Sequence, residues 1–194
     1  RLQVGAGVGV PVADGVVTAA GRRDVTCGGI DFEFAAGHEP SMAAGFVDSQ
    51  DGFIAAGAVK GALDCTNCSD VRVTDCSFQR TAGSGVSFGG VAKRIVMSRL
   101  RVADVGGNEV LIGSHGNDSE PYQSVGNQVT QSAIKRVGQE CTGCCGITAG
   151  YNRDLLLSHN TLTELPYGGI SVGAGTARAG YARNNTIRAN RVAR

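Results

Sequence analysis

The stretch that decides the fold is Gly169-Ile170-Ser171-Val172-Gly173, because its pattern returns at three earlier positions. The earlier copies run from Gly85 to Gly89, from Glu109 to Gly113 and from Gly146 to Gly150. Each copy reads glycine, apolar, polar, apolar, glycine, with small variations, and Glu109 takes the place of the first glycine in one of them. Alternation with a period of two is typical of a half-buried β-strand.

A second unit precedes each of these strands and consists of an apolar strand, a turn residue and another strand. Its copies are Val71 to Phe78, Ile95 to Val102, Val129 to Val137 and Leu155 to Leu162, with a further copy at Asn185 to Val192. Asn160 and Asn190 take equivalent positions in the last two copies. Asparagine tolerates the left-handed backbone region and bonds to neighbouring backbone, so these residues predict a tight bend and a stacked asparagine ladder.

Three short strands per repeat, glycine-bounded strands and an asparagine turn predict an all-β fold, a right-handed parallel β-helix of about six coils. We expect residues 1–194 to form one such domain within a longer β-helix. A leucine-rich repeat would need a fixed Leu/Asn consensus, which is missing. A β-sandwich would need hairpin turns such as Asn-Gly between its strands, and these are scarce.

The composition excludes several classes of protein. The chain has 194 residues, 30 of them glycine, and no tryptophan, and 18 Lys and Arg balance 17 Asp and Glu to a net charge of +1. This balance gives no electrostatic case for nucleic acid as a partner. No apolar run approaches the roughly 20 residues of a membrane helix, so we expect no membrane span. The chain begins at Arg1 without a signal-peptide pattern, which favours a processed product or a fragment.

Two stretches carry a resemblance to a known family: Val137-Gly138-Gln139-Glu140 and Pro166-Tyr167-Gly168-Gly169-Ile170-Ser171-Val172-Gly173. Between roughly Asp24 and Val192 the chain resembles the pectin-lyase-like superfamily, and within it the β-helical glycoside hydrolases and their uncharacterised relatives. The resemblance implies that the glycine-bounded strands form the first sheet, that loops wall a cleft above this sheet, and that the ligand is a polysaccharide or oligosaccharide.

Glu109 and Glu140 are the candidate catalytic residues. The alternation places Glu109 on the outward face of its strand, in a column with Gly85, Gly146 and Gly169 that would leave room for a ligand. Glu140 enters from the loop one coil further on, and glycosidases hold two carboxyl groups about 5–9.5 Å apart. The alternative is that Glu109 is a solvated sheet residue and that Glu140 pairs with a nearby arginine.

Further side chains are candidates for substrate binding. Lys60 is expected in the column of Glu109, and Asp64 at the far end of the same strand. His115 lies in the longest loop between coils, where binding residues tend to occur. The tyrosines that would stack on sugar rings are Tyr122, Tyr151 and Tyr167. With Asp64 as the single aspartate on this face, a calcium-dependent lyase is disfavoured.

The seven cysteines do not predict a metal site. Cys65 and Cys68 form one C-x-x-C pair and Cys141 and Cys144 another, but coil geometry separates the two pairs by about 14 Å at ~4.8 Å per coil. Zinc needs all its ligands within ~2.3 Å. We therefore expect no metal and no cofactor, and consider a local disulfide within residues 141–145.

The remaining expectations concern location and assembly. Asn-x-Ser/Thr sequons at Asn67, Asn117 and Asn184 are compatible with a secreted, extracellular glycoprotein. The alternative to an enzyme is a non-catalytic β-helix that binds glycan or serves as a structural module. A solenoid end exposes unpaired strand edges, so end-to-end self-association or docking to a partner subunit is expected.

Overall fold

The computed structural model describes residues 11–13, 15–37, 60–108, 110–113, 123–173 and 182–193. Within these ranges the chain forms twenty β-strands and no helix. Sheet 1 contains β1 (Val17–Ala20), β4 (Gly61–Thr66), β7 (Ser84–Phe88), β10 (Val110–Ile112), β14 (Ile147–Ala149) and β18 (Ile170–Val172). Sheet 2 contains β2 (Arg23–Gly28), β5 (Ser69–Thr74), β8 (Val96–Ser98), β12 (Gln128–Thr130), β16 (Leu156–Ser158) and β19 (Thr186–Arg188). Sheet 3 contains β3 (Asp31–Glu33), β6 (Ser77–Thr81), β9 (Arg101–Val105), β13 (Ala133–Lys135), β17 (Thr161–Thr163) and β20 (Arg191–Ala193). A fourth, two-stranded sheet pairs β11 (Ser124–Val125) with β15 (Asn152–Arg153).

The chain passes through sheets 1, 2 and 3 in turn, six times, and every strand pairs in parallel with the equivalent strand of the next turn. The protein is therefore a parallel β-helix, which confirms the predicted fold, and its turns are called coils 1 to 6 in chain order. The four glycine-bounded copies correspond to strands β7, β10, β14 and β18, which are neighbours in sheet 1.

One continuous apolar core fills the inside of the coils. Each sheet contributes an inward column whose members pair in register from coil to coil. Buried members of the core include Val86, Val110 and Ile147 from sheet 1, Val73, Met97, Val129 and Leu157 from sheet 2, and Phe78, Val102, Ile134 and Leu162 from sheet 3. The rings of Phe32 and Phe78 stack with centroids 4.7 Å apart. Burial of aliphatic side chains at about 25 cal/mol per Å² makes this stack the main stabilising contribution.

The chain turns at three corners per coil, and each corner uses a residue with positive φ. At the corner between sheets 1 and 2 these residues are Asp24, Asp70, Arg94, Gly126, Asp154 and Asn184. Between sheets 2 and 3 they are Gly29, Asp75, Arg99, Gln131, His159 and Ala189, and after sheet 3 they are Phe34, Arg80, Asp104, Arg136 and Glu164. A single left-handed residue redirects a strand without a loop, which explains how short strands close into a coil.

The asparagine ladder is confirmed, but the bend itself lies one residue earlier than predicted. The positive φ belongs to His159 and Ala189. Asn160 is buried and Asn190 is half-buried, and the side-chain amide of each donates to a backbone oxygen. Asn160 Oδ1 accepts the N–H of Ser132 at 3.0 Å, and its Nδ2 donates to Asn190 Oδ1 at 3.0 Å. Since a buried, unpaired N–H is costly, the ladder stabilises the corner.

Ion pairs between corner residues connect neighbouring coils. Arg94 bonds both carboxylate oxygens of Asp70 at 2.6 Å, and Arg99 bonds both oxygens of Asp75 at 2.7 Å. Exposed ion pairs of this kind contribute little individually. Their bidentate geometry holds the side chains of neighbouring corner residues in a fixed arrangement.

Candidate functional site

Asp64 is the acidic residue that the structure places on the outer face of sheet 1. Its strand pairs so that Asp64 lies beside Ser87 of the next coil. The carboxyl is half-buried, and burial raises its pKa above the ordinary aspartate value. A hydrogen bond with Ser87 and the charge of Lys60 act in the opposite direction and offset part of this shift in pKa. The outer face of sheet 1 therefore carries a carboxyl that retains its proton to higher pH than an exposed aspartate.

The column of Glu109 differs from the prediction at Lys60. Gly61 pairs with Ser84 and Leu63 with Val86, so Ala62 is level with Gly85 and Lys60 precedes the strand. Lys60 is thus two residues short of the predicted column, although its charge still acts on Asp64. The prediction failed because the alternation of residues shows which side chains share a face of the strand, but it does not show at which residue the strand begins.

Gly146 and Gly169 of this column lie against core side chains, which corrects the prediction that they leave room for a ligand. A Cβ on Gly146 would lie 2.7 Å from Leu162 Cδ2, and a Cβ on Gly169 would lie 2.5 Å from Val192 Cγ1. Leu162 and Val192 belong to the inward column of sheet 3. Because the chain enters sheet 1 directly from a sharp corner, the simple in-and-out alternation does not hold at its first residue.

Much of the outer face of sheet 1 is closed. Leu111 is 1% exposed and Thr148 is 0% exposed, although both alternate outward in their strands. Thr148 Oγ1 donates to Asn108 Oδ1 at 3.3 Å, and the same oxygen accepts the N–H of Cys145 at 3.0 Å. Ser87 is buried as well, so the middle of this face is covered, whereas Thr18 of coil 1 is exposed and Asp64 of coil 2 is half-buried.

Glu140 lies at the corner between sheets 3 and 1 and is exposed. Its N–H donates to Gly106 O at 3.1 Å, and a Cβ on Gly106 would lie 3.1 Å from Glu140 Cγ. In the part of the chain that the structure describes, no ion pair joins Glu140 to an arginine. Gly106 thus lets the loop of Glu140 pack closely on the previous coil while the carboxylate stays accessible.

The other predicted site residues are distributed unevenly. Glu109, His115 and Tyr122 lie outside the described residues. Tyr151 is buried, so its ring is not accessible to a sugar, whereas Tyr167 is 51% exposed.

The disulfide joins Cys65 and Cys68, a C-x-x-C pair that the sequence analysis considered as metal ligands and not as a disulfide. Cys65 and Cys68 are joined, with their Cα atoms 6.0 Å apart, across a turn at Asn67. A disulfide within residues 141–145 was the expected alternative, but Cys141, Cys144 and Cys145 are buried thiols. The C-x-x-C spacing across a turn at the end of a strand was the available signal. Among the described residues, no three His, Cys, Asp or Glu side chains are grouped so that they could hold a metal ion.

A groove that the sequence analysis missed lies on the outer face of sheet 2. It has a volume of 520 Å³ and is lined by Asp24, Thr26, Asp70, Arg72, Arg94, Val96, Gly126 and Gln128. The alternation of Val71-Arg72-Val73 already places Arg72 on the outside of the sheet. What the sequence does not reveal is the coil register that brings Arg72 beside Val96 and Gln128.

Comparison with protein-family models, with curated proteins and with solved structures found no match for this chain. A search of the described residues found no helix with the length and apolar character needed to span a bilayer.

Proposed function

We propose that this protein is a carbohydrate-active β-helix related to the pectin-lyase-like superfamily, and that it hydrolyses glycosidic bonds in polysaccharides with Asp64 as the proton donor. The observation that carries the proposal is the half-buried carboxyl of Asp64 on the outer face of sheet 1, with its raised pKa. A general acid for glycoside hydrolysis needs a carboxyl that is still protonated at the working pH.

The reaction requires a second carboxylate. Glu109 and Glu140 remain the candidates for this role, as general base or nucleophile, and Asp64 delivers its proton to the oxygen of the leaving sugar. Of these two, Glu140 has a described position, and it is exposed at the corner between sheets 3 and 1.

The experiment is an assay of the protein on aryl glycosides and a panel of polysaccharides. Asp64→Asn is expected to lower kcat by on the order of 10²–10⁴. Glu109→Gln and Glu140→Gln identify the second carboxylate, and Asp154→Asn, an exposed acid away from sheet 1, is the matched control. A D64N variant as active as the parent would contradict the role of Asp64. A parent protein with no activity on any substrate of the panel would contradict the proposal that it is a glycoside hydrolase.

A structural and assembly module is the second candidate. Coil 6 exposes Ile187 by 52% and Val192 by 53%, although the equivalent residues of coil 5, Leu157 and Leu162, are buried. Exposed core positions at a solenoid end favour docking of another chain. End-to-end self-association or a partner subunit would cover them.

An extracellular location agrees with two features of the described residues. The Cys65–Cys68 disulfide belongs to an oxidising compartment. The sequon residues Asn67 and Asn184 are exposed at turns with positive φ, where a glycan can be attached.

A further inference from the structure

The groove on sheet 2 is built by side chains from four successive coils. Arg72, Val96 and Gln128 are level with one another on coils 2, 3 and 4. Val96 is short and apolar, so it forms a floor between two long polar side chains. At the adjacent corner Gly126 has no side chain, and Arg94 Cγ lies 3.5 Å from the place a Cβ would take. The groove therefore has an apolar floor and polar walls.

Two guanidinium groups line this groove, and they differ in what they bind. Arg94 is held by Asp70 through two hydrogen bonds of 2.6 Å. Arg72 is exposed, and its guanidinium group has neither an ion pair nor a hydrogen bond with any residue in the described ranges. Arginine presents a planar fork of donors that matches a carboxylate or sulfate group. The guanidinium group of Arg72 is thus available to bind an anionic ligand. The side chain of Arg94 is held in place by Asp70 and forms one side of the groove.

Basic side chains continue along the helix axis beside the groove. The column immediately before the corner residues is basic on four of its six coils, with neutral residues on coils 2 and 4. In chain order it contains Arg23, Ser69, Lys93, Val125, Arg153 and Arg183. Together with Arg72 and Arg94 the basic residues of this column outnumber the three acids of the same corner, Asp24, Asp70 and Asp154. This strip of the surface is positive although the whole chain is nearly neutral. A linear anionic polymer that runs along the column would meet a basic side chain on four of the six coils.

We propose that the groove on sheet 2 binds the anionic groups of an acidic polysaccharide, with Arg72 bonding the charged group and Val96 supporting the sugar ring. None of the groove's lining residues is aromatic, which disfavours single-stranded nucleic acid, because such ligands are held by stacking of bases on aromatic rings. The coil spacing of ~4.8 Å is close to the length of one sugar unit, so successive coils meet successive sugars. The site is separate from sheet 1, and binding there does not depend on hydrolysis.

The test is a binding titration of the full chain against four probes at several salt concentrations. Polygalacturonate carries carboxylates, dextran sulfate carries sulfate esters, dextran is neutral, and a single-stranded oligonucleotide represents the nucleic acid. Binding of either acidic glycan and not of dextran is expected, and the stronger of the two identifies the anionic group. Arg72→Ala should weaken this binding roughly tenfold or more. Arg101→Ala, an exposed arginine on sheet 3, is the matched control and should leave it unchanged.

Three outcomes would overturn the proposal. Equal loss in R72A and R101A would mean that net charge and not the groove is responsible. Equal binding of neutral dextran would remove the anionic group from recognition, and a tighter complex with the oligonucleotide would assign the surface to nucleic acid. Asp64→Asn keeps the groove intact, so loss of hydrolysis with retained binding separates this site from the proposed enzyme.

Discussion

At the scale of single residues, two aspartates show how position decides titration. Asp104 lies at an exposed corner, where the hydrogen bond from Arg136 lowers the pKa of its carboxyl. Asp64 lies on sheet 1, where burial raises the pKa of its carboxyl. The carboxyl of Asp104 therefore contributes to stability at pH values above the ordinary aspartate pKa of about 3.9, and the carboxyl of Asp64 contributes below it.

The prediction concerns stability against pH. The contribution of Asp104 is present above about pH 4 and is lost as pH falls through its lowered pKa. The contribution of Asp64 is present below about pH 4 and is lost as pH rises through its raised pKa. Asp104→Asn should therefore flatten the loss of stability in acid. Asp64→Asn should raise the melting temperature at pH 7 and leave it unchanged at pH 3.

Calorimetric melting curves of both variants and the parent at pH 3, 5 and 7 make this measurement. The two isosteric substitutions serve as controls for each other, since the expected changes have opposite signs. Parallel curves for all three proteins would show that neither carboxyl has a perturbed pKa in the folded state.

At the scale of the element, packing against sheet 3 decides the residue that precedes strands β14 and β18 of sheet 1. Gly146 and Gly169 lie where the chain leaves a corner, and side chains of sheet 3 fill the space beside them. Because these two positions have no side chain, the core side chains Leu162 and Val192 can occupy the space. Glycine in this column is a packing requirement and not evidence of a ligand site.

A pair of glycine substitutions tests this interpretation. Gly146→Ala places a Cβ 2.7 Å from Leu162 Cδ2 and 2.9 Å from a backbone oxygen, so it should cost about 1–3 kcal/mol of unfolding free energy. Gly89→Ala is the matched control, because its Cβ would have its nearest neighbour 3.7 Å away. Denaturation by urea measures both. A G146A variant as stable as G89A would refute the packing role.

At the scale of the whole molecule, the first and last described coils both expose core positions. In coil 1 Phe32 is buried and stacks on Phe78, but Val17 is 40% and Val25 is 36% exposed. In coil 6 Ile187 and Val192 are more than half exposed. Coil 6 is also basic, since Arg183, Arg188 and Arg191 lie in the described range 182–193 without an acid. A partner on this end would offer apolar and acidic side chains.

We expect the protein to associate through coil 6. Sedimentation velocity over a range of concentrations should show a concentration-dependent larger species. The double substitution Ile187→Lys and Val192→Lys should abolish it, because a charge at each core position prevents burial. Tyr167→Lys, which changes an exposed aromatic residue outside coil 6, is the control. A parent that sediments as a monomer at every concentration would contradict the prediction.

The sequence by itself determined four of the six strands of sheet 1, the approximate coil count and the asparagine ladder. These features depend on local alternation and on a repeated turn, and both can be read from neighbouring residues in the chain. The apolar columns of Val86, Val110 and Ile147 follow for the same reason, since parallel coils stack equivalent positions.

Only the tertiary structure decided which features of those strands face a ligand. The core-facing glycines, the closed outer face at Leu111 and Thr148, and the position of Lys60 all depend on how one coil rests on another. The groove around Arg72 likewise requires four coils to be in register. Contacts between residues distant in sequence decide these features, because burial and shifts in pKa arise from the surroundings of a side chain and not from its neighbours along the chain.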